Sequence, residues 1–194
     1  ILVYYDPDID GLFAGYFITK FLSERGIESK YYINENRKHG FCIDELEALR
    51  GYTVIAVDFA IPNIGEVVNA GIDVINIDHH SIGSSGLVTC YRDGRLSGVV
   101  INNQYEFEPE EWQFLSGAGV VYYVLCMLDK SFENKLHEAL VGITLLSDVR
   151  AIENERACKI LMQTYKSKEP YMMYLRDISK GNTAFGFGVQ NMDR

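Results

Sequence analysis

"ILVYYDPDIDGLFAGYFITKFLSERG", residues 1–26, joins three pieces in a fixed order. Ile1–Tyr5 is a continuous apolar run, as expected of a strand covered on both faces. Residues 6–11, "DPDIDG", then concentrate Asp6, Asp8 and Asp10 in one turn. From Gly11 to Arg25, Leu12, Phe13, Tyr16, Phe17, Phe21 and Leu22 recur at helical spacing, and Gly26 stops the helix. A strand, an acidic turn and a helix form the first unit of an α/β fold.

The pattern repeats downstream. Glu28–Ile33 reads as a short strand, residues 34–42 as a polar loop and Asp44–Arg50 as a short helix. Thr53–Val57 is an apolar strand ending at Asp58. Pro62–Ala70 is helical, and the strand Ile72–Ile77 ends at Asp78-His79-His80. This alternation predicts an α/β fold with a parallel, mostly doubly wound sheet and helices on both faces. Leu87–Tyr91 and Leu96–Ile101 flank "RDGR", whose Asp-Gly pair predicts a hairpin. Helices are expected over residues 110–129, 133–147 and 154–167, with a last one near 170–180. The Gly-rich "AFGFGVQNMDR" follows.

Of the 194 residues, 47% are hydrophobic, enough for the core of one good-sized domain. A net charge of −9 argues against a surface that holds nucleic acid by bulk charge, while leaving room for a local basic channel or a metal site. Neither a membrane span nor a secretory signal is present, although the chain opens on Ile1 rather than Met, which leaves an upstream targeting segment open. Cys42, Cys90, Cys126 and Cys158 stand singly, without CxxC spacing. They are expected to be reduced, mostly buried thiols of a cytoplasmic protein.

Ligands of an open parallel sheet bind beyond the carboxyl ends of its strands. Asp6, Asp8, Asp10, Asp58, Asp78, His79 and His80 all fall there, and Asp148 in "ITLLSDVRAIENE" follows an apolar helical stretch. Carboxylates packed together repel unless one stays protonated. A bound divalent cation removes the conflict. Carboxylates with one or two histidines suit Mn²⁺ or Mg²⁺, with Zn²⁺ a further candidate. Other readings fit less well. An EF-hand would need a Glu where Phe17 stands and a helix where Ile1–Tyr5 stands. The "DIDG" start is shared with haloacid-dehalogenase-like phosphatases, but "LLSDVRA" is a poor match to their later acidic motif and "DHH" has no use in that scheme. A dinucleotide-binding fold lacks its G-x-G-x-x-G.

"INIDHHSIG", residues 75–83, together with D-x-D-x-DG and a strand-end Asp, resembles the DHH phosphoesterase superfamily. Four motifs match in order: Asp6/Asp8/Asp10, Asp58, Asp78-His79-His80 and Asp148. Within it, "EVVNAGIDVINIDHH", "LSGAGVVYYVLCML" and "SDVRAIENERACKI" resemble the RecJ-type single-strand exonucleases. The small-substrate branches usually carry a His where this chain has Tyr4. "NNQ" at 102–104 departs from the Asn-Pro common in the family, and "QNMDR" from the usual tail.

The resemblance implies a DHH catalytic domain over residues 1–167, and a helical connector over 168–194 toward a second, DHHA1-type domain absent from this sequence. It implies two ions, Mn²⁺ or Mg²⁺, and in-line phosphodiester hydrolysis of single-stranded DNA, 5′→3′, in repair or recombination. Asp8 would bind one ion and Asp10 the other, with Asp58 bridging, His79 and Asp148 completing the second site, and Asp6 a ligand or outer partner of the first. His80 would contact the scissile phosphate, and Asp78 would orient the histidines. Arg150 and Arg156 would neutralise phosphates. "SGAG", residues 116–119, would open a helix whose N-terminus faces a phosphate, or else serve close helix packing. Tyr31, Tyr32, Phe41, Tyr91, Tyr122 and Tyr123 divide between core positions and base-stacking platforms. The expected partners are a single-stranded nucleic acid and a single-strand binding protein or helicase, with no membrane. The alternatives carried are a phosphodiesterase of short oligonucleotides, cyclic dinucleotides or pyrophosphate, and an inactive RecJ-like replication scaffold.

Overall fold

In the strand Leu2–Tyr5 (β1), successive side chains enter different cores. Val3 joins Phe17, Ile55, Val57 and Val121 on one face, while Leu2 and Tyr4 join Val54, Phe59 and Ile72 on the other. That period-2 division, with both faces buried, is why the strand reads as continuously apolar. The computed structural model describes residues 1–34, 39–81, 89–104, 112–148, 155–168 and 170.

Six strands form one sheet: β1, β2 (Lys30–Ile33), β3 (Thr53–Val57), β4 (Asp73–Asp78), β5 (Thr89–Arg92) and β6 (Arg95–Asn102), in the order β2-β1-β3-β4-β6-β5. All pairings are parallel except β5 with β6. The chain leaves β1 toward β2 on one side and returns to β3 on the other, so a crevice opens between β1 and β3 at the carboxyl edge. Helices α1 (Ile9–Ser23), α4 (Gly117–Leu128) and α5 (Lys135–Ser147) cover one face. Helices α2 (Ile43–Leu49) and α3 (Ile64–Asn69) cover the other. The doubly wound α/β reading therefore holds. The hairpin also forms where "RDGR" places it, with Asp93 and Gly94 at φ +53° and +75°, as a two-residue primed turn requires.

Three expectations need correction. The first helix starts at Ile9 rather than Gly11, because Asp8 accepts the Gly11 N–H at 2.9 Å and caps it; Asp10 therefore belongs to a helical turn. Within the helix expected from 110, the described residues before Gly117 are not α-helical. Asn103 Nδ2 donates to the carbonyls of Trp112 and Leu115, and Ser116 caps α4 by accepting the Gly119 N–H. Among the cysteines only Cys90 is buried; Cys126 is partly buried, and Cys42 and Cys158 are exposed. The connector expected over 168–194 and the helix near 170–180 lie, apart from residues 168 and 170, outside the described residues.

A last described helix, α6 (Glu155–Lys166), packs on α5 through a tight seam. A Cβ on Gly142 of α5 would overlap Thr164 Oγ1 and fall 2.7 Å from Thr164 Cβ. Gly142→Ala is therefore expected to destabilise the protein by about 1–3 kcal/mol through overpacking. The measurement is a urea melt, and an unchanged midpoint would mean that the seam yields without cost.

Candidate metal centre

Register alone gathers the polar strand ends. Tyr5 pairs with both Ile33 and Val57, Val57 with Ile77, and Asp78 with Asn102. Asn34, Asp6, Asp58, Asp78 and Asn102 thus form one row along the carboxyl edge. The ladder continues into that row: Asn34 N–H donates to the Tyr5 carbonyl at 2.9 Å and Asp58 N–H to the Ile77 carbonyl at 3.0 Å.

Asp58 lies at the centre, 2% exposed, with φ at +52°. A non-glycine residue in the left-handed region costs roughly 1–2 kcal/mol, a strain that turns tolerate and that also clusters at functional sites. Its Oδ1 has no hydrogen-bond partner among the described residues. His79 Nε2 is 3.1 Å from that atom without the alignment of a hydrogen bond, and 3.8 Å from Asp10 Oδ2. The other ring nitrogen, Nδ1, lies 3.4 Å from Oδ2 of Asp148, which caps the end of α5. One buried imidazole is therefore ringed by three carboxylates. Ligand atoms from Asp58, His79 and His80 lie within 4.8 Å of one another, and so do those of Asp10, His79 and Asp148.

Asp10 is gripped from the opposite helix. Its Oδ2 accepts the Gly117 N–H at 2.6 Å and its Oδ1 the Ala118 N–H at 3.0 Å. The first amides of α4 therefore face a carboxylate of this chain, which corrects the expectation that "SGAG" faces a phosphate. Gly117 is there for space: a Cβ would sit 2.5 Å from Asp58 Oδ1. Burial pushes the Asp10 carboxyl above its ordinary value, against the pull of His79. For Asp58, burial, then Asp10 and Asp8, push it well above.

Asp78 is buried and its Oδ1 lies 2.7 Å from His80 Nδ1. Burial acts to raise its carboxyl, but the hydrogen bond and charge of His80 outweigh that and hold it low. The same bond raises His80 against the opposing effect of burial. The His80 ring is more open to solvent, 4.7 Å between centroids from both His79 and His39. Asp8 caps α1, and Asp6 Oδ1 accepts from Asn34 Nδ2 at 3.1 Å.

The fold thus brings Asp10, Asp58, His79, His80 and Asp148 together, with Asp78 behind His80 and Asp8 within electrostatic reach of Asp58. Arg156 is placed 5.8 Å over the Phe114 ring. Arg150 lies outside the described residues. Phe41 and Tyr122 are core, whereas Tyr31, Tyr32 and Tyr91 are exposed. Three residues at the site were not singled out in the sequence: Asn34 beside Asp6, His39 beside His80, and Asn102, whose Nδ2 donates to the His80 carbonyl at 2.9 Å. Asn34 and Asn102 follow or end strands just as the acids do, so strand-final polarity rather than charge alone is the signal that finds them. His39 has no such signal.

A profile of the DHH family, N-terminal domain, matches residues 1–147. No curated protein matches the sequence. Among solved structures, an exonuclease RecJ bound to manganese superposes with a TM-score of 0.68 at 21% identity, covering 92% of this chain and 46% of that one. RecJ in complex with Mn²⁺ from Thermus thermophilus gives 0.61 at 22% identity, covering 91% and 26%. CDC45 from Entamoeba histolytica gives 0.56 at 12% identity, covering 85% and 33%. The chain thus spans less than half the length of each of these structures. The profile covers most of the sequence, and the sheet, its acidic carboxyl edge and the histidine pair are those that its motifs announce: the chain belongs to the DHH family.

Proposed function

We propose that this chain is the catalytic part of a divalent-metal-dependent phosphodiesterase that removes nucleotides from the 5′ end of single-stranded DNA. The observation that carries the reading is the ring of buried Asp10 and Asp58 and half-buried Asp148 around the buried His79, in which Asp58 Oδ1 has no hydrogen-bond partner among the described residues. Buried carboxylates without enough compensating charge are strongly unfavourable. The oxygen and imidazole donors suit Mn²⁺ or Mg²⁺, and Asp10, Asp58, His79 and Asp148, with Asp8 at the rim, would hold two ions. Such ions, when bound, activate water near neutral pH and neutralise the phosphate.

The remaining residues have their own tasks. An ionised carboxylate only accepts, so Asp78 fixes the His80 proton at Nδ1 and sets the ring's orientation. That leaves His80 turned to solvent beside the cluster, suited to contact a phosphate oxygen. The Gly117 and Ala118 amides stabilise the Asp10 carboxylate without occupying all of its lone pairs. The RecJ resemblance supports the single-stranded DNA substrate, and Tyr4 supports it against the small-substrate branches. Its ring lies buried against Tyr32, Phe41 and Phe59. Residues 168–194 are assigned to a connector toward a further domain, and a single-strand binding protein or helicase is the proposed partner. Among the described residues no helix is long and apolar enough to cross a membrane.

The nuclease test uses the protein with Mn²⁺ and 3′-labelled single-stranded DNA, with EDTA as control. A ladder of shortening labelled fragments, abolished by EDTA, is the expected result. Immediate release of labelled mononucleotide would reverse the polarity, and cleavage confined to dinucleotides would move the substrate to the small-molecule class. Asp58→Ala is expected to lower the rate by more than the about 10–100-fold that loss of a supporting partner costs. Turnover close to wild type would remove Asp58 from the ligand set.

A second test concerns the metal-free protein. Asp10 and Asp58 have raised carboxyl values in the folded state, so the native state binds more protons than the unfolded chain above the ordinary carboxylate range. By linkage, their contribution to stability falls as pH rises from that range toward neutrality. Asp58→Asn is therefore expected to raise the metal-free melting temperature at neutral pH, flatten this pH slope and abolish stabilisation by Mn²⁺. An unchanged slope would show that Asp58 is not the strained charge.

A further inference from the structure

We propose that Asn76, which has no place in the ligand set, is the positioning residue that keeps Asp58 in its left-handed conformation and so holds its carboxylate open to a cation. The inference rests on the metal-dependent reading above but is read first from the backbone.

Asn76 stands in the middle of β4, within an otherwise apolar run of Val74, Ile75 and Ile77. It is 2% exposed. A buried carboxamide is unfavourable unless it is hydrogen-bonded, so a polar residue at this point needs a specific partner. It has two. Asn76 Nδ2 donates to the Phe59 carbonyl at 2.8 Å and to the Ala56 carbonyl at 3.2 Å. These carbonyls flank Val57 and Asp58, so one amide group spans the point where the chain leaves the sheet.

The other end of the same peptide is also tied to β4. Asp58 N–H donates to the Ile77 carbonyl at 3.0 Å. Rotation at Asp58 is thus bounded on both sides by adjacent residues of one strand, Ile77 before the strained φ and Asn76 after it. That strand continues directly into Asp78, His79 and His80. The 3.1 Å separation between Asp58 Oδ1 and His79 Nε2 is therefore set within a single rigid unit of β4 and the β3 exit. Among the described residues the Asn76 amide is the group that holds the Phe59 carbonyl. When it is lost, the Asp58 backbone is able to relax toward negative φ, the region that non-glycine residues prefer, and its carboxylate swings out of the ring.

The test compares wild type, Asn76→Leu (same number of side-chain heavy atoms, no donor), Asn76→Ser (one donor) and Val67→Ala. Val67 is fully buried in the core on the α3 face, so its truncation serves as the control for lost global stability. The first readout needs no metal: amide hydrogen exchange at residue 58. Asn76→Leu is expected to speed it about tenfold relative to Val67→Ala at matched global stability, with Asn76→Ser between. The second readout is Mn²⁺ affinity by calorimetry, expected to fall about tenfold in Asn76→Leu, the scale typical of a partner that orients a ligand, and to stay at the wild-type value in Val67→Ala. Unchanged exchange at residue 58 in Asn76→Leu overturns the proposal. Equal losses of affinity in Asn76→Leu and Val67→Ala overturn it too, because the effect would be global. If wild type itself binds no Mn²⁺, the metal-dependent reading fails, while the exchange result still decides whether Asn76 positions Asp58.

Discussion

Three carboxylates share one buried imidazole in this protein, and the surrounding fold is arranged around that excess of negative charge. Asp10, Asp58 and Asp148 arrive from α1, β3 and α5, and His79 from the end of β4. No single element supplies more than one of them. The charges are brought together by packing the helices on the sheet, so the hydrophobic core carries the electrostatic cost. A divalent cation would reverse that cost.

The site holds its acids in two ways. Asp10 and Asp78 are gripped through their carboxylates, by the first amides of α4 and by His80. Asp58 is gripped through its backbone, and among the described residues its Oδ1 accepts no hydrogen bond. The difference matters for function. Asp58 Oδ1 accepts no hydrogen bond among the described residues, whereas each Asp10 oxygen accepts one and keeps its remaining lone pairs for a cation. Backbone support also accounts for the strained φ of Asp58, whose Oδ1 lies 3.1 Å from His79 Nε2 and against Gly117 of α4. Gly117 completes the arrangement by giving α4 no side chain at the point of contact.

Asparagines recur in this framework. Asn76 spans the exit of β3, Asn102 holds the His80 carbonyl, and Asn103 fixes the segment that leads into the cap of α4. Each uses a side-chain donor to satisfy carbonyls where regular secondary structure ends. The irregular segments that carry the chemistry thus stay ordered without adding charge to a site that already has too much.

Much of this was legible in the sequence for a simple reason. Strand ends in a parallel sheet share one edge, so apolar runs terminating in Asp6, Asp58 and Asp78-His79-His80 already place those residues side by side. The Asp-Gly pair at 93–94 likewise specified its turn locally, since both residues take positive φ. What the sequence left open depended on contacts between distant residues. Whether the amides of "SGAG" face a ligand or Asp10 is decided by how α4 meets α1, across more than a hundred positions. The start of α4 at Gly117 rather than near 110 depends on Asn103, and the conformation of Asp58 on Asn76. Periodicity and strand-end charge are local properties that a chain carries with it. Capping partners, close approaches and the choice of which carboxylate stays open arise only when separate elements dock, because each is set by a neighbour that the local sequence does not contain.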